Sequence, residues 1–320
     1  MGFGDAFAWR GPAQVFREWA RLTAYENQGR MLSLGPLATI TPDAYETLAP
    51  VQWPVTVGGG TARLFTDGRF PTPDGRARMI PVVAAGPAQP TDAAYPLSLN
   101  TGRVRDHWHT LTRTALAADL CRHTPEPFVE VHPDDAAPLG VDDGALARIR
   151  TPYGEAVAVA RLTDRQRRGS LFMPMHWTDA FAPSGRAKRL VGAHVDPASG
   201  QPEFKHTAAR LSAYRETWRG FFLSREIAVP PKGADVVWRR TPFEDCHLHE
   251  FAGRGDAEER ATVLKALTRG AAGEPLSFDD PSLGSQGRAF IDNERLSRAL
   301  FIATAGRLPP RDWLVALFLK

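Results

Sequence analysis

The stretch LSLNTGRVRDHWHTLTRT, residues 97–114, begins as a β-strand and then becomes unusually rich in hydrogen-bond donors. Its apolar start ends at a Thr-Gly-Arg turn, followed by two histidines flanking a tryptophan and by three further threonines. Glycine in such a turn lets a ligand approach the backbone N–H groups, and arginine binds anionic oxygens in bidentate geometry. We therefore interpret residues 101–110 as a binding loop for an anionic ligand, with a plain β-turn as the alternative.

The residues around this stretch, from 95 to about 212, alternate short apolar segments with turns. ALARIRT and EAVAVARL predict two strands that flank the turn PYGE, and GSLFMPMHW predicts a further strand. PDDAAPLG predicts a small helix between strands. Many short strands separated by Gly and Asp turns are typical of a compact β-barrel or sandwich.

The N-terminal part predicts helices and an irregular region. Val15, Phe16, Trp19 and Leu22 recur at helical spacing, so we expect a helix over 12–25 whose apolar face packs in a core. Three further segments have predicted structures: a short capped helix over 41–48, two short strands around Asp-Gly turns over 61–82, and a linker at a domain boundary over 84–94. The tryptophans at 9, 19 and 53 are expected in a core or in an interface with further domains.

The C-terminal part predicts a small α+β region over residues 214–320. An amphipathic helix is expected over 256–271, and a strand, turn and strand over 288–304. A last helix begins at Pro309–Pro310, and the sequence ends two turns later on an apolar segment. We expect the sequence to be truncated there.

Composition excludes several classes of protein. The chain has 320 residues, 39 Lys and Arg against 36 Asp and Glu, and a net charge of +3, which is no nucleic-acid footprint. No apolar run approaches the length of a membrane span, and neither a secretory signal nor a myristoylation site is present. Its two cysteines, Cys121 and Cys246, are too few for a zinc or iron–sulfur site and predict reduced thiols in a cytoplasmic protein.

Four motifs together carry a resemblance to a known family. LNTGRVRDHWHTLTRT, HPDDAAPLGVDDG, GSLFMPMHW and VDPASGQPEFKHTAARL are similar in order and spacing to the molybdopterin-dinucleotide-binding domain of dimethyl-sulfoxide-reductase-type molybdenum oxidoreductases. The resemblance implies a mainly β fold with α+β flanks, centred on a six-stranded double-psi β-barrel. It divides the chain into the end of an upstream oxidoreductase domain (1–88), the dinucleotide-binding domain (89–213) and the small α+β region (214–320).

The amino-acid sequences of two segments, GRFPTPDGRARMIPV and SGRAKRLVGAHVDPASGQPEFKH, most resemble the assimilatory nitrate reductase branch of this family. The resemblance implies a molybdenum bis(molybdopterin guanine dinucleotide) cofactor and reduction of nitrate to nitrite. The cysteine motifs that hold iron–sulfur clusters in relatives, and the cysteine that commonly ligates molybdenum, have no match here. We therefore expect a fragment that is inactive alone, with the missing part of the subunit and an electron donor as partners, and no binding to nucleic acid or membrane. Formate dehydrogenase and a non-catalytic cofactor-binding module are the alternatives.

No residue is a candidate for the chemical step, and no metal ligand is predicted. Because two histidines at alternate positions of a strand point to one side, His107 and His109 raise a metal hypothesis, but no third ligand completes the site, since Asp106 faces the other way in an extended segment. Trp177 is equally plausible as cofactor neighbour or barrel core. Lys188 stands where relatives usually carry Asn, and it is left out of the site. The resemblance implies the following cofactor-binding residues: Thr101, Gly102, Arg103, Val104, Arg105, Asp106, His107, Trp108, His109, Thr110, Met175, His176 and Lys205.

Overall fold

A computed structural model describes residues 2–81, 83–197, 199–228, 235–272, 274–282, 284–304 and 308–318. The chain divides into two compact units, Met1–Ala84 and Ala85–Lys320. The candidate loop lies in the second unit, which holds all of the strands that the structure assigns.

The first unit contains two helices, α1 (Pro12–Ala24) and α2 (Pro42–Glu46). Helix α2 is capped as its sequence predicts, because the Thr41 hydroxyl accepts a hydrogen bond from the Ala44 N–H. Helix α1 is also confirmed, but its predicted packing is wrong: the exposed fractions of Val15, Trp19 and Leu22 are 44%, 48% and 62%. The helix packs instead through its alanine side, where Ala20 meets Leu34 and Val55. Small side chains there allow a close approach that the bulky residues would prevent.

The two strands expected over 61–82 are wrong as far as the structure describes that segment, which is to residue 81. Both Asp-Gly dipeptides do form turns, with Gly68 and Gly75 at positive φ. The polar side chains bond locally: Thr72 donates to the Asp74 carboxylate, which accepts from the Arg76 N–H. Local bonds of this kind compete with strand pairing.

Six strands of the second unit form a closed barrel. They are β1 (Leu97–Gly102), β2 (Phe128–Val131), β3 (Leu146–Thr151), β4 (Gly154–Leu162), β5 (Ser170–Pro174) and β6 (Thr207–Ala213). Their order around the barrel is β1-β5-β2-β4-β3-β6, and β6 pairs with β1 to close it. The pairs β1–β5 and β2–β4 are parallel and the other four are antiparallel. The predicted six-stranded barrel is therefore confirmed.

The barrel interior is filled with aliphatic side chains from alternate strand positions. Along β1, Leu97, Leu99 and Thr101 are buried, while Ser98 is only half-buried and Asn100 is exposed. Because the barrel is closed, none of its strands has a free edge. Burial of the apolar side chains in its interior stabilises the folded barrel. The core also includes Val129, Val131, Ile149, Leu171, Met173 and Leu211.

A second, antiparallel sheet follows the barrel. Its strands are β7 (Trp218–Ser224), β8 (Val236–Pro242), β9 (His247–Gly253), β10 (Leu276–Asp280), β11 (Ser285–Asp292) and β12 (Arg295–Ala303), in the order β10-β11-β12-β7-β9-β8. The predicted strand pair over 288–304 is confirmed as β11 and β12, joined by a turn at Asn293 and Glu294. The predicted α+β character of this region agrees with the sheet, although four of its strands were not foreseen.

Helices cover both the barrel and the second sheet. The unit contains α3 (Ala118–His123), α4 (Pro133–Ala136), α5 (Ala257–Thr268) and α6 (Asp312–Phe318). Val263 and Leu267 of α5 pack on one face of the second sheet, and Leu314 and Phe318 of α6 pack on the other. The predicted helices at 133–140, 256–271 and after Pro310 are thereby confirmed, with shorter bounds.

Burial of His249 makes the stability of this unit depend on pH. The side chain is inaccessible to solvent on β9, beside Phe222 and Arg240 of the neighbouring strands. Burial and the nearby Arg240 charge lower the pKa of His249 from 6.5 to about 4. Because the unfolded protein binds a proton at this histidine near pH 6.5 and the folded protein only near pH 4, the folded state loses stability as the pH falls from 6.5 toward 4. We expect His249 to contribute about 2 kcal/mol to the fall in the free energy of unfolding between pH ~7.5 and pH ~5, as measured by urea unfolding.

A His249→Leu variant provides the matched comparison for this prediction. Its unfolding free energy is expected to depend less on pH by about the same 2 kcal/mol, because leucine binds no proton. An unchanged pH dependence in the variant would show that other groups cause the effect.

Candidate functional site

The three segments that the sequence predicts to bind cofactor meet at one end of the barrel. The backbone N–H of Met175, just after β5, donates to the Gly102 carbonyl at 2.9 Å. The Thr101 hydroxyl donates to the Phe204 carbonyl at 2.8 Å, and Lys205 Nζ donates to the Thr101 carbonyl at 2.6 Å. Residues 101–110, 175–176 and 205 thus belong to one site, although the last two are far from the first in sequence.

Gly102 is required by the barrel itself. A Cβ at this position would lie 2.5 Å from the Phe172 ring on the neighbouring strand β5, closer than side chains pack. The barrel therefore gives a packing reason for glycine at this position, in addition to the expected close approach of a diphosphate. The contact of Gly102 with ligand stays a prediction.

The loop after β1 is irregular, so His107 and His109 do not have the strand geometry from which the metal hypothesis was raised. His109 and Leu111 have positive φ values of 41° and 66°, and the Leu111 N–H donates to the Trp108 carbonyl. The Leu111 side chain is buried against Trp177, which anchors the loop on the barrel end. No group of three or more potential metal ligands occurs among the residues that the structure describes.

His176 holds the two ends of the loop. Its Nε2 accepts a hydrogen bond from the Val104 N–H at 2.9 Å, and its Nδ1 lies 2.6 Å from the His109 carbonyl oxygen. A carbonyl accepts only, so Nδ1 carries the proton and the ring is neutral. Burial lowers the pKa of His176, and the nearby His107 and Arg103 act in the same direction. Both ring nitrogens are engaged within the protein, and a contact of His176 with cofactor stays a prediction.

The side chain of His107 is buried beneath the loop backbone. Its Nε2 donates to the Thr124 carbonyl at 2.7 Å, and its ring stands perpendicular to Trp177 at a centroid distance of 5.3 Å. Burial lowers the pKa of His107, so this ring is also held neutral. Its Nδ1 is buried and has no hydrogen-bond partner among the described residues. Trp177 itself is buried beneath the loop against Leu111 and Ala182, in a small cluster that is separate from the barrel core.

The charged residues of the loop differ in their partners. Arg105 forms a bidentate ion pair with Asp106 at 2.8 Å, and His123 Nδ1 approaches the same carboxylate at 2.9 Å. The Arg105 hydrogen bonds, and then that of His123, hold the pKa of Asp106 well below its usual range. Arg103 is exposed and makes no hydrogen bond or ion pair within the described part of the chain. Lys205 likewise has no carboxylate within ion-pairing distance there.

Most backbone N–H groups of the loop remain free. Within the described ranges, hydrogen bonds are made by the N–H groups of Val104 and Trp108 but not by the six others of residues 103–110. Trp108 is half exposed, with its ring edge-on to His109 at 4.5 Å. The loop and Lys205 beside it therefore provide unpaired backbone N–H groups, the Thr110 hydroxyl and two cations without carboxylate partners, which is the kind of donor set that phosphate oxygens require.

Sequence reasoning missed the residues that support this loop. Thr124 and Phe204 act through backbone carbonyls, and such a role leaves no side-chain signal in a sequence. His123 contacts Asp106 across 17 residues, a separation set only by the fold of α3.

A separate cavity of about 510 Å³ lies between the barrel and the second sheet. None of the predicted cofactor-binding residues lines it. Its charged residues are paired with one another: Arg239 contacts Glu126 and Glu250, and Arg311 donates to Glu250 at 2.9 Å. With charges compensated inside the protein, this cavity has no excess charge with which to attract an anion.

The loop lies within the segment of the chain that matches a known family. Residues 97–208 match the family described as "Molydopterin dinucleotide binding domain". A nitrate reductase of Klebsiella oxytoca is 44% identical over 84% of this chain and 30% of its own length. The assimilatory nitrate reductase catalytic subunit of Bacillus subtilis is 32% identical over 66% of this chain and 29% of its own length. A formate dehydrogenase subunit alpha of Methanocaldococcus jannaschii is 30% identical over 66% of this chain and 29% of its own length.

The chain thus spans about 30% of the length of the curated relatives that it matches. No helix in the described part of the chain is long and apolar enough to cross a bilayer. The barrel, the matched residues and the similarity to these relatives lead to one conclusion: the chain belongs to the molybdopterin oxidoreductase family, and residues 97–208 match its dinucleotide-binding domain.

Proposed function

We propose that this chain binds the dinucleotide part of a molybdopterin cofactor with the loop of residues 101–110. The observation that carries the proposal is the unpaired donor set of this loop, within the segment that the family matches. Six free backbone N–H groups and two cations without carboxylate partners, Arg103 and Lys205, fit a ligand that carries diphosphates.

The residues of the site divide by role. Arg103 and Lys205 bind phosphate oxygens, and the hydroxyls of Thr110 and the free N–H groups of the loop add hydrogen bonds to them. Trp108 offers an exposed aromatic face for stacking. Thr101 fixes the end of β1 to the segment before β6, and Asp106 holds Arg105 in place. These residues bind and orient the cofactor, and none of them is proposed for the chemical step.

We further propose that the chain serves as part of a nitrate reductase. The cofactor in its bis-guanine dinucleotide form, held by the loop of residues 101–110, would supply the oxygen-atom-transfer chemistry that reduces nitrate to nitrite. Two further parts would complete the enzyme: the remainder of the subunit, with its iron–sulfur cluster, and an electron-donor protein. The chain alone is therefore expected to be inactive. A cytoplasmic location goes with this assimilatory role. Support comes from the 44% identity to a nitrate reductase, against 30% to the formate dehydrogenase subunit.

The form of the nucleotide and the reaction are tested separately. The chain is purified from a molybdenum-replete host, and the nucleotide released from its pterin by acid is identified by chromatography. Release of GMP is expected, whereas CMP or no nucleotide would contradict the guanine form. The chain is then combined with the remaining part of a nitrate reductase and assayed with nitrate and with formate. Nitrite formation is the expected result, and formate oxidation alone would favour the formate dehydrogenase alternative.

A further inference from the structure

One buried imidazole bridges two positions of the candidate loop. His176 is inaccessible to solvent, and its ring joins the Val104 N–H at 2.9 Å to the His109 carbonyl at 2.6 Å. Between these two residues lie three whose backbone N–H groups have no acceptor in the described part of the chain: Arg105, Asp106 and His107. A left-handed backbone at His109, with φ of 41°, shows that the loop is not held by regular structure.

We propose that His176 is a positioning residue, whose neutral ring clamps the loop between Val104 and His109 and so presets the free N–H groups for a diphosphate. This inference rests on the proposed function, because it assigns the clamp its use in binding cofactor. His176 itself touches no ligand in this scheme, and its effect passes through the backbone. Preorganised donors bind more tightly because the loop loses less conformational freedom when the ligand arrives.

The clamp requires one donor and one acceptor in the same side chain. A neutral imidazole protonated on Nδ1 provides both, whereas an imidazolium has two donors and would face the Val104 N–H with another N–H. The titratable and charged groups that face His176 are Arg103, His107 and His109 of the loop, and all are cationic when charged. Asp106 is engaged by Arg105 and His123. The surroundings therefore favour the neutral ring, in agreement with its lowered pKa.

Two substitutions separate hydrogen bonding from shape. The amide of His176→Gln retains one donor and one acceptor, while His176→Phe keeps the ring volume and neither bond. Hydrogen–deuterium exchange at Val104 in the full chain reports the clamp. Binding of inorganic diphosphate, measured by calorimetry, reports the donor set. His132→Gln is the control, because His132 caps α4 through Asp134 outside the loop.

We expect exchange at Val104 to accelerate about 10-fold in His176→Phe and diphosphate affinity to fall about 10-fold, since two hydrogen bonds are lost. Both quantities should stay within about threefold of the parent protein in His176→Gln and His132→Gln. Because the pKa of His176 is lowered, the pH must fall well below 6.5 to protonate its ring, and this should accelerate Val104 exchange, corrected for intrinsic rates, in the parent protein but not in His176→Gln.

The outcomes distinguish this inference from the proposed function. Unchanged exchange and affinity in His176→Phe would overturn the clamp, as would equal losses in the Gln and Phe variants. A third outcome is that the parent protein binds no diphosphate, while Val104 exchange is still faster in His176→Phe and unchanged in His176→Gln. In that case the clamp is supported, but its proposed use in binding diphosphate is wrong. Should the Phe variant not fold, the pH dependence of Val104 exchange in the parent and Gln proteins decides the question.

Discussion

Replacing Arg103 and Lys205 together by glutamine is expected to weaken cofactor binding roughly 100-fold, the largest functional effect that the site predicts. Both side chains are exposed and lack carboxylate partners among the described residues, so their charge is available to a phosphate. A hydrogen bond between charged groups contributes about 1.5 kcal/mol at the low end of its range, and two such bonds correspond to this loss. Pterin content of the purified variant, relative to the parent protein, measures the effect.

The control removes the same charge elsewhere on the second unit. Arg167 and Arg210 are exposed residues of this unit outside the candidate site, and their joint replacement by glutamine changes the net charge equally. Cofactor content is expected to stay within about twofold in this control, since distant exposed charges are screened. An equal loss in both double variants would show that overall charge, rather than the loop, governs binding.

Arg239→Ala is expected to destabilise the second unit by about 3 kcal/mol, the largest effect on stability, because it leaves the half-buried Glu126 carboxylate without its partner. Arg239 lies on β8 and contacts both Glu126, before β2, and Glu250, on β9. Glu250 keeps a second partner in Arg311, but Glu126 has no other ion pair in the described part of the chain. This residue therefore ties the barrel to the second sheet. Urea unfolding measures the loss.

Two comparisons make the Arg239 prediction specific. Arg150→Ala breaks an exposed ion pair with Glu155 and is expected to cost less than about 1 kcal/mol. Combining Arg239→Met with Glu126→Gln removes the unpaired charge as well as its partner, and it should recover part of the stability lost in Arg239→Ala. A loss in Arg239→Ala no larger than that in Arg150→Ala would contradict the assigned role.

The sequence predicted those parts of the fold that depend on local pattern. The alternation of apolar and polar residues along β3 and β4 identified both strands and the turn between them, because one side of each strand faces the barrel core. Strand β7 was not foreseen: WRGFFLS has no alternation, since both of its faces are covered. The opposite error occurred at 61–82, where turn signals were present but side chains bond locally and no strand forms up to residue 81.

The candidate site was predictable in its position but not in its internal contacts. Glycine, arginine and histidine at the end of a strand marked the loop, and the family resemblance supplied the ligand. The role of His176 depends on bonds to residues 67 and 72 positions away, which only the closed barrel brings together. The exposure of α1 could not be read from its helical spacing either, because periodicity identifies an apolar face and not what covers it.

Cofactor content of the intact chain tests the central claim most directly. The chain is purified from a molybdenum-replete host, shown to be folded by circular dichroism, and analysed for pterin by fluorescence after oxidation and for molybdenum by mass spectrometry. Binding by the loop of residues 101–110 predicts pterin in the parent protein and its loss in the Arg103 and Lys205 double variant. A folded parent chain without pterin, from a host whose other molybdenum enzymes are loaded, would contradict the claim that this chain binds the cofactor by itself.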